Sequence, residues 1–158
     1  MATAHITPGF TLPATFPVMG VGVVALLFLN VFQLQNVVKA RKAAGVKYPA
    51  LYASEEEARA DPKKKLFNCA QRAHANTLEY LPTVLSLFAF LGCFHPKLAT
   101  GSILAWTLSR FSYTIGYSSG DPAKRNAGLG RLGLPALCGL IFPTMYVVGV
   151  EVYRLFLA

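Results

Sequence analysis

Apolar residues fall into four long blocks along the chain, about Phe16 to Val38, Leu66 to Phe94, Leu98 to Tyr117 and Leu132 to Leu157. Each meets the requirement of roughly 20 residues for a helix to cross the hydrocarbon of a bilayer. Backbone groups inside lipid must be satisfied within the segment, so the blocks predict helices. The connections are unequal: a charged stretch from Lys39 to Lys65, a tight turn at His95, Pro96 and Lys97, and a Gly-rich basic stretch from Ser118 to Arg131. The pattern reads as an all-α integral membrane protein, a four-transmembrane-helix bundle forming one domain over residues 1–158. Pro82, Pro135 and Pro143 fall within the helical blocks and predict kinks. The amino-terminal MATAHITPGFTLPATF has no basic leader region, and the apolar run after it is too long for a signal-peptide core, so a cleaved signal is not expected.

Composition agrees with this pattern: 54% of the 158 residues are hydrophobic, and the mean hydropathy is +0.44. The formal charge is +8. It does not indicate nucleic acid, because the cations cluster beside apolar blocks instead of forming a groove-lining stripe. Lys39, Arg41, Lys42, Lys47, Arg59, Lys63, Lys64 and Lys65 lie in the first connection and Lys124, Arg125 and Arg131 in the third, whereas the other side holds Lys97 and Arg154. The positive-inside rule therefore puts both basic connections in the cytosol. Cys69, Cys93 and Cys138 are too widely separated for a zinc or disulfide motif, and no metal is expected.

The polar residues inside the apolar blocks carry the chemistry. The second block opens as FNCAQRAHANTLEYLP, in which Arg72, Asn76 and Glu79 are spaced i, i+4, i+7 on one helical face, with Tyr80 beside them. The third block ends with Arg110, Tyr113 and Tyr117, spaced i, i+3, i+7. A charged side chain at the bilayer centre costs roughly 2.5 to 3.5 kcal/mol, so such residues need protein or trapped water to receive them. Four crossings bring both stripes to the cytosolic leaflet, where they can face one another across a cleft. Cations, one carboxylate, an amide and phenols suit a ligand with several anionic groups and one ammonium, such as a zwitterionic peptide or a phospho-headgroup. A purely structural reading pairs Arg72 with Glu79, lets Arg110 reach the headgroups, and leaves the tyrosines as an interfacial belt. Glu151 and Arg154 form an i, i+3 surface pair. A channel is disfavoured, because the stripes do not continue through Leu85 to Phe94.

The order of the segments, together with VVKARKAAGVKYP, FNCAQRAHANTLEYLP and SRFSYTIGYSSGDPAKR, resembles the membrane-associated proteins in eicosanoid and glutathione metabolism, and within them the microsomal glutathione S-transferase type 3 group. The resemblance implies a homotrimer that binds glutathione near the cytosolic face. It carries glutathione contacts onto Arg72, Asn76, Glu79, Tyr80, Tyr113 and Tyr117, and a basic contact onto Arg41. His74 stands where leukotriene-forming relatives have Gln, and Arg110 matches an arginine that lines the cleft in some relatives. The thiol-activating cation matches Arg125, with Lys124 as the alternative. The implied activity is glutathione S-transferase with glutathione peroxidase, acting on a lipophilic electrophile or lipid hydroperoxide drawn from membrane lipid. The implied location is the endoplasmic reticulum membrane, or alternatively the mitochondrial outer membrane. A non-catalytic lipid-binding or scaffolding subunit is the contrasting expectation.

Overall fold

The computed structural model describes residues 11–156; the first ten residues of the amino-terminal segment and Leu157 of the fourth block lie outside them. Within that range the order is α1 (Met19–Ala44), α2 (Glu55–Ala60), α3 (Pro62–Phe94), α4 (Pro96–Tyr117) and α5 (Gly133–Phe156). Short 3-10 turns occupy Phe16–Val18, Pro122–Asn126 and Gly128–Leu132. The four long helices are the four apolar blocks.

The helix ends explain where the sequence reading placed boundaries too early. The stretch after Val38 was expected to be loop, but α1 continues to Ala44. Arg41 and Lys42 in its last turn complement the negative end of the helix dipole, and Gly45 stops it at φ 64°. The remaining connection contains α2, whose start is a reciprocal capping box: the Glu57 amide donates to Ser54 Oγ at 3.2 Å and the Ser54 amide to Glu57 Oε2 at 3.0 Å. Asp61 ends α2 and begins α3, accepting from the Lys63 amide at 2.8 Å, with Pro62 at the first helical position. Lys63, Lys64 and Lys65 are unfavourably placed for the dipole at this end, and the carboxylates of Asp61 and Glu57 offset them, the latter paired with Lys64. His95 alone separates α3 from α4, with Pro96 again opening the helix.

Pro82 and Pro143 lie inside continuous helices. Pro135 does not interrupt α5 as expected; it is in the first turn, where a missing N–H leaves no bond unmade. The basic stretch expected as a loop from Ser118 to Arg131 folds instead into the two 3-10 turns. An added Cβ on Gly116 would collide with the Lys124 carbonyl, and one on Gly130 with the Arg125 carbonyl, so Gly116 lets the first turn lie directly on α4 and Gly130 lets the second turn lie against the first.

Among the described residues, three helical segments are long and apolar enough to cross a membrane, Phe16–Ala44, Pro62–Phe94 and Gly128–Phe156. Helix α4 has the length but not the apolarity expected of its block. Its position supplies the reason: it packs against α1, α3 and α5. Its Thr100, Thr107, Ser109, Arg110 and Thr114 are all buried. Polar side chains there meet protein, so the helix need not be greasy on every face. Leu29, Val84, Phe88, Leu91, Ile103, Trp106 and Leu140 form the main core. Gly22 admits the close approach of Phe88 and Ile103 to α1. Val21, Phe28, Leu34, Phe142, Met145 and Tyr146 are exposed on the outer faces of α1 and α5, the arrangement of a lipid-facing surface.

Candidate functional site

One polar network joins α1, α3 and α4. On α3, Arg72 holds Glu79 through two bonds, Nη1 to Oε1 at 2.6 Å and Nη2 to Oε2 at 3.4 Å. Asn76 Nδ2 adds a donor to Glu79 Oε2 at 3.4 Å. From α4, Arg110 Nη2 donates to Asn76 Oδ1 at 2.6 Å and Nε to Thr77 Oγ1 at 3.1 Å. The i, i+4, i+7 stripe on α3 and the arginine on α4 therefore meet as their spacing suggested.

Burial separates the two arginines. The Arg72 and Glu79 side chains are 47% and 52% exposed, so their pairing contributes little in isolation. Arg110 is buried. Its guanidinium lies over the Tyr113 ring at 4.3 Å from the centroid, with the Trp106 ring at 5.5 Å and the Tyr80 ring at 5.8 Å. Cation–π contact and two hydrogen bonds replace the water that this charge has lost. Tyr117 packs on Tyr113 with ring centroids 5.6 Å apart.

A cavity of about 290 Å³ opens beside this arginine, lined in part by Asn76, Tyr80, Trp106, Arg110, Tyr113 and Arg125. The Pro122–Asn126 turn delivers Arg125. Asp121 caps that turn by accepting from the Ala123 amide at 3.0 Å, and Arg125 Nη1 donates to the Pro122 carbonyl at 2.9 Å. Of the two adjacent cations in the turn, Arg125 lines the cavity and Lys124 does not. Gly130 and Gly133 also line it, as do the apolar Leu134 and Leu137 of α5. Arg72, Arg110 and Arg125 against Glu79 leave two surplus positive charges in this region, which favours a ligand carrying more carboxylate than ammonium.

Not every expected residue joins this group. Arg41 is buried at the end of α1, where Nη1 donates to the Ala50 carbonyl at 2.7 Å and the guanidinium lies between Tyr48 and Phe67, at 4.4 and 4.5 Å from their ring centroids. Its visible work is to pin the segment before α2. His74 is half-buried and does not line the cavity, and its Nε2 has no partner among the described residues. Tyr117 reaches the group through Tyr113 rather than by lining the cavity. The three cysteines are free thiols.

The sequence reading overlooked Gln33, Thr77 and Thr114, which underpin the arginine. Gln33 Nε2 donates to Thr77 Oγ1 at 2.8 Å and to Thr114 Oγ1 at 2.7 Å. Both hydroxyls spend their own hydrogens on backbone carbonyls, Thr77 on Ala73 and Thr114 on Arg110, so they can only accept from the amide. An uncharged amide within the apolar run LNVFQLQN was the available signal, since buried polar groups in a membrane helix require partners. Trp106 and Asn126 also line the cavity without having been singled out.

Comparison with protein families matches residues 19–146 to the family described as the MAPEG family.

Proposed function

The chain belongs to the MAPEG family, and on that premise we propose that it is a glutathione-dependent membrane enzyme of the microsomal glutathione S-transferase type 3 kind, combining transferase and peroxidase activity toward lipophilic electrophiles and lipid hydroperoxides. Family membership supports glutathione as co-substrate and membrane lipid as the medium. The observation that carries the reading further is the cavity in which Arg125 shares walls with Arg110, Asn76, Tyr80 and Tyr113.

In this reading the ligand's carboxylates are held by Arg72 and Arg110, its ammonium by Glu79 and its peptide groups by Asn76, with Tyr80, Tyr113 and Tyr117 offering phenolic hydroxyls. Arg41 and His74 complete the set from outside the cavity, in an assembled trimer. Half-exposed Arg72 and Glu79 on the outside of a membrane-length helix support that assembly, because such charges in lipid call for a neighbouring surface.

The sulfur chemistry falls to Arg125. A thiol with a reference pKa of about 8.5 is mostly protonated at neutral pH, and a fixed guanidinium stabilises the thiolate without losing its own proton. Lowering the thiol pKa by roughly two units needs about 2.7 kcal/mol, a modest demand for one partly desolvated cation. The thiolate then forms a C–S bond with an electrophilic carbon as the leaving group departs. With a hydroperoxide it attacks the distal oxygen: an S–O bond forms, the O–O bond breaks, and the alkoxide released takes a proton. A second glutathione converts the sulfenic acid to disulfide and water. Leu134 and Leu137 supply apolar surface beside the cavity for the acceptor.

The four long helices all cross the membrane in this account, as a single domain with both basic connections in the cytosol. Asn36 Nδ2 donating to Ser118 Oγ at 2.8 Å supports it, since the bond brings the two connections to one end of the bundle. The membrane is that of the endoplasmic reticulum, with the mitochondrial outer membrane as the alternative.

The test is glutathione consumption by purified protein with a lipophilic electrophile and with a lipid hydroperoxide. Wild type turns over and Arg125→Ala collapses. Full activity in Arg125→Ala with loss in Lys124→Ala moves the role by one residue, and indifference to both removes the thiolate model. Glutathione binding without any turnover points to a scaffolding subunit.

A further inference from the structure

A separate cavity of about 310 Å³ opens between α1 and α3, at the end of the bundle that carries the basic connections. Lys39 of α1 and Lys63 of α3 line it, together with the apolar Ala40, Leu66 and Ala70. Asn36 and Ser118 line it too, and the bond between them, Nδ2 to Oγ at 2.8 Å, ties α1 to the end of α4 at this point.

The charge in this cavity is unbalanced. No carboxylate lines it, and among the described residues neither lysine forms an ion pair. Asp61, the acid nearest to Lys63 in the chain, accepts the Lys63 amide as the cap of α3, and Glu57 is taken by Lys64. Lys63 also stands in the first turn of α3, where the positive end of the helix dipole adds to its own charge. Both lysines are exposed, so neither charge is sealed from the surrounding lipid and water. A basic pocket between membrane helices at their cytosolic end has the character of a headgroup site.

The surface beneath it distinguishes a lipid from a free anion. Phe28 precedes Lys39 by about three helical turns, on the same face of α1, and is exposed. The rise between them is about 16 Å, close to half of the roughly 30 Å hydrocarbon thickness. Gln35 and Phe32 lie between them on that face, Gln35 one turn below Lys39 at the depth of a phospholipid's ester groups. Cation, amide and aromatic thus follow the order of phosphate, ester and acyl chain.

We propose that this cavity holds the phosphate of an anionic phospholipid from the cytosolic leaflet between Lys39 and Lys63, with an acyl chain running along α1 past Phe32 to Phe28. The site rests on α1 crossing the membrane with its carboxyl-terminal end in the cytosol. It is distinct from the Arg125 cavity and needs no glutathione.

The experiment uses full-length protein in dodecylmaltoside micelles without glutathione, so its outcome is separate from turnover. Binding of phosphatidic acid with a fluorescent acyl label, and of phosphatidylcholine carrying the same label, is followed by anisotropy at fixed detergent. The expected result is saturable phosphatidic acid binding, roughly tenfold or more tighter than phosphatidylcholine. Lys39→Gln combined with Lys63→Gln removes that preference, and Lys39→Arg combined with Lys63→Arg keeps it. Lys42→Gln combined with Lys47→Gln is an equal loss of charge at lysines that do not line the cavity, and it changes the preference less than about threefold. Equal binding of the two lipids, binding that never saturates, loss in the arginine pair, or an equal loss in the Lys42 and Lys47 pair overturns the proposal. Displacement by an excess of sn-glycerol 3-phosphate overturns it as well, by assigning the cavity to a free phosphate.

Discussion

Arg110 on α4 donates to the side-chain oxygen of Asn76 on α3 at 2.6 Å, so the charge that the membrane would most resist is fastened to a residue of the neighbouring helix. The same guanidinium reaches Thr77, and Thr77 in turn receives Gln33 from α1. Three helices are thus fixed in register by side chains that satisfy one another.

The accounting of donors ranks two conservative substitutions. Thr77 accepts from both Gln33 and Arg110, whereas Thr114 accepts from Gln33 alone. Hydrogen bonds between membrane helices average about 0.6 kcal/mol, and those to charged groups are stronger. Thr77→Val is expected to lower stability by about 1–3 kcal/mol and Thr114→Val by about 0.5–1.5 kcal/mol, measured by reversible unfolding in mixed micelles. An inverted order would contradict the second bond that Thr77 accepts, from Arg110.

Gly130 allows the Arg125 carbonyl to lie against it, and Gly116 does the same for Lys124. Gly130→Ala is expected to push the Pro122–Asn126 turn away from the Gly128–Leu132 turn and reduce kcat for glutathione conjugation roughly tenfold, consistent with the sensitivity of catalysis to sub-ångström placement. Steady-state kinetics on protein with unchanged far-ultraviolet circular dichroism provide the check. Unchanged kcat would mean that the close contact does not position Arg125.

The cap of α2 makes a pH prediction outside the membrane. The hydrogen bond from Lys64, followed by those from the Ser54 amide and hydroxyl, holds the Glu57 carboxyl down to about 2, against an ordinary value of 4.5. Because the folded value is the lower one, the stabilisation is complete above about pH 4.5 and is lost as pH falls toward 2. The 13C carboxyl resonance of Glu57 should titrate with a midpoint near 2 in wild type and return toward the ordinary range in Lys64→Met. A wild-type midpoint near 4.5 would remove the capping interaction from solution.

How much of this was legible in the sequence depends on which physical signal each part carries. Apolar runs of membrane length marked the four long helices, and the 3.6-residue period put Arg72, Asn76 and Glu79 on one face. The end of α1 was missed because Lys39, Arg41 and Lys42 read as loop by charge, although cations are favoured in a last helical turn. The two 3-10 turns after α4 were missed because their Gly and Pro content resembles open loop; the packing of Gly116 and Gly130 is a tertiary fact. Polarity inside α4 was read as a cleft face of Arg110, Tyr113 and Tyr117, while Thr107, Ser109 and Thr114 are buried there too. Gln33 has no charge and no periodic partner, and only the three-dimensional meeting of α1, α3 and α4 reveals its role. The approach of Arg125 rather than Lys124 to the cavity likewise needed coordinates, since neighbouring residues in a tight turn point in different directions.

The central claim is that a fixed guanidinium at Arg125 holds the sulfur of bound glutathione as an anion. The direct measurement is a pH titration of that thiol by thiolate ultraviolet absorbance, with saturating glutathione on wild type, Arg125→Ala and Lys124→Ala. The account predicts a midpoint about two units below 8.5 in wild type and in Lys124→Ala, and a return toward 8.5 in Arg125→Ala. A midpoint that stays depressed in Arg125→Ala while glutathione remains bound would contradict it.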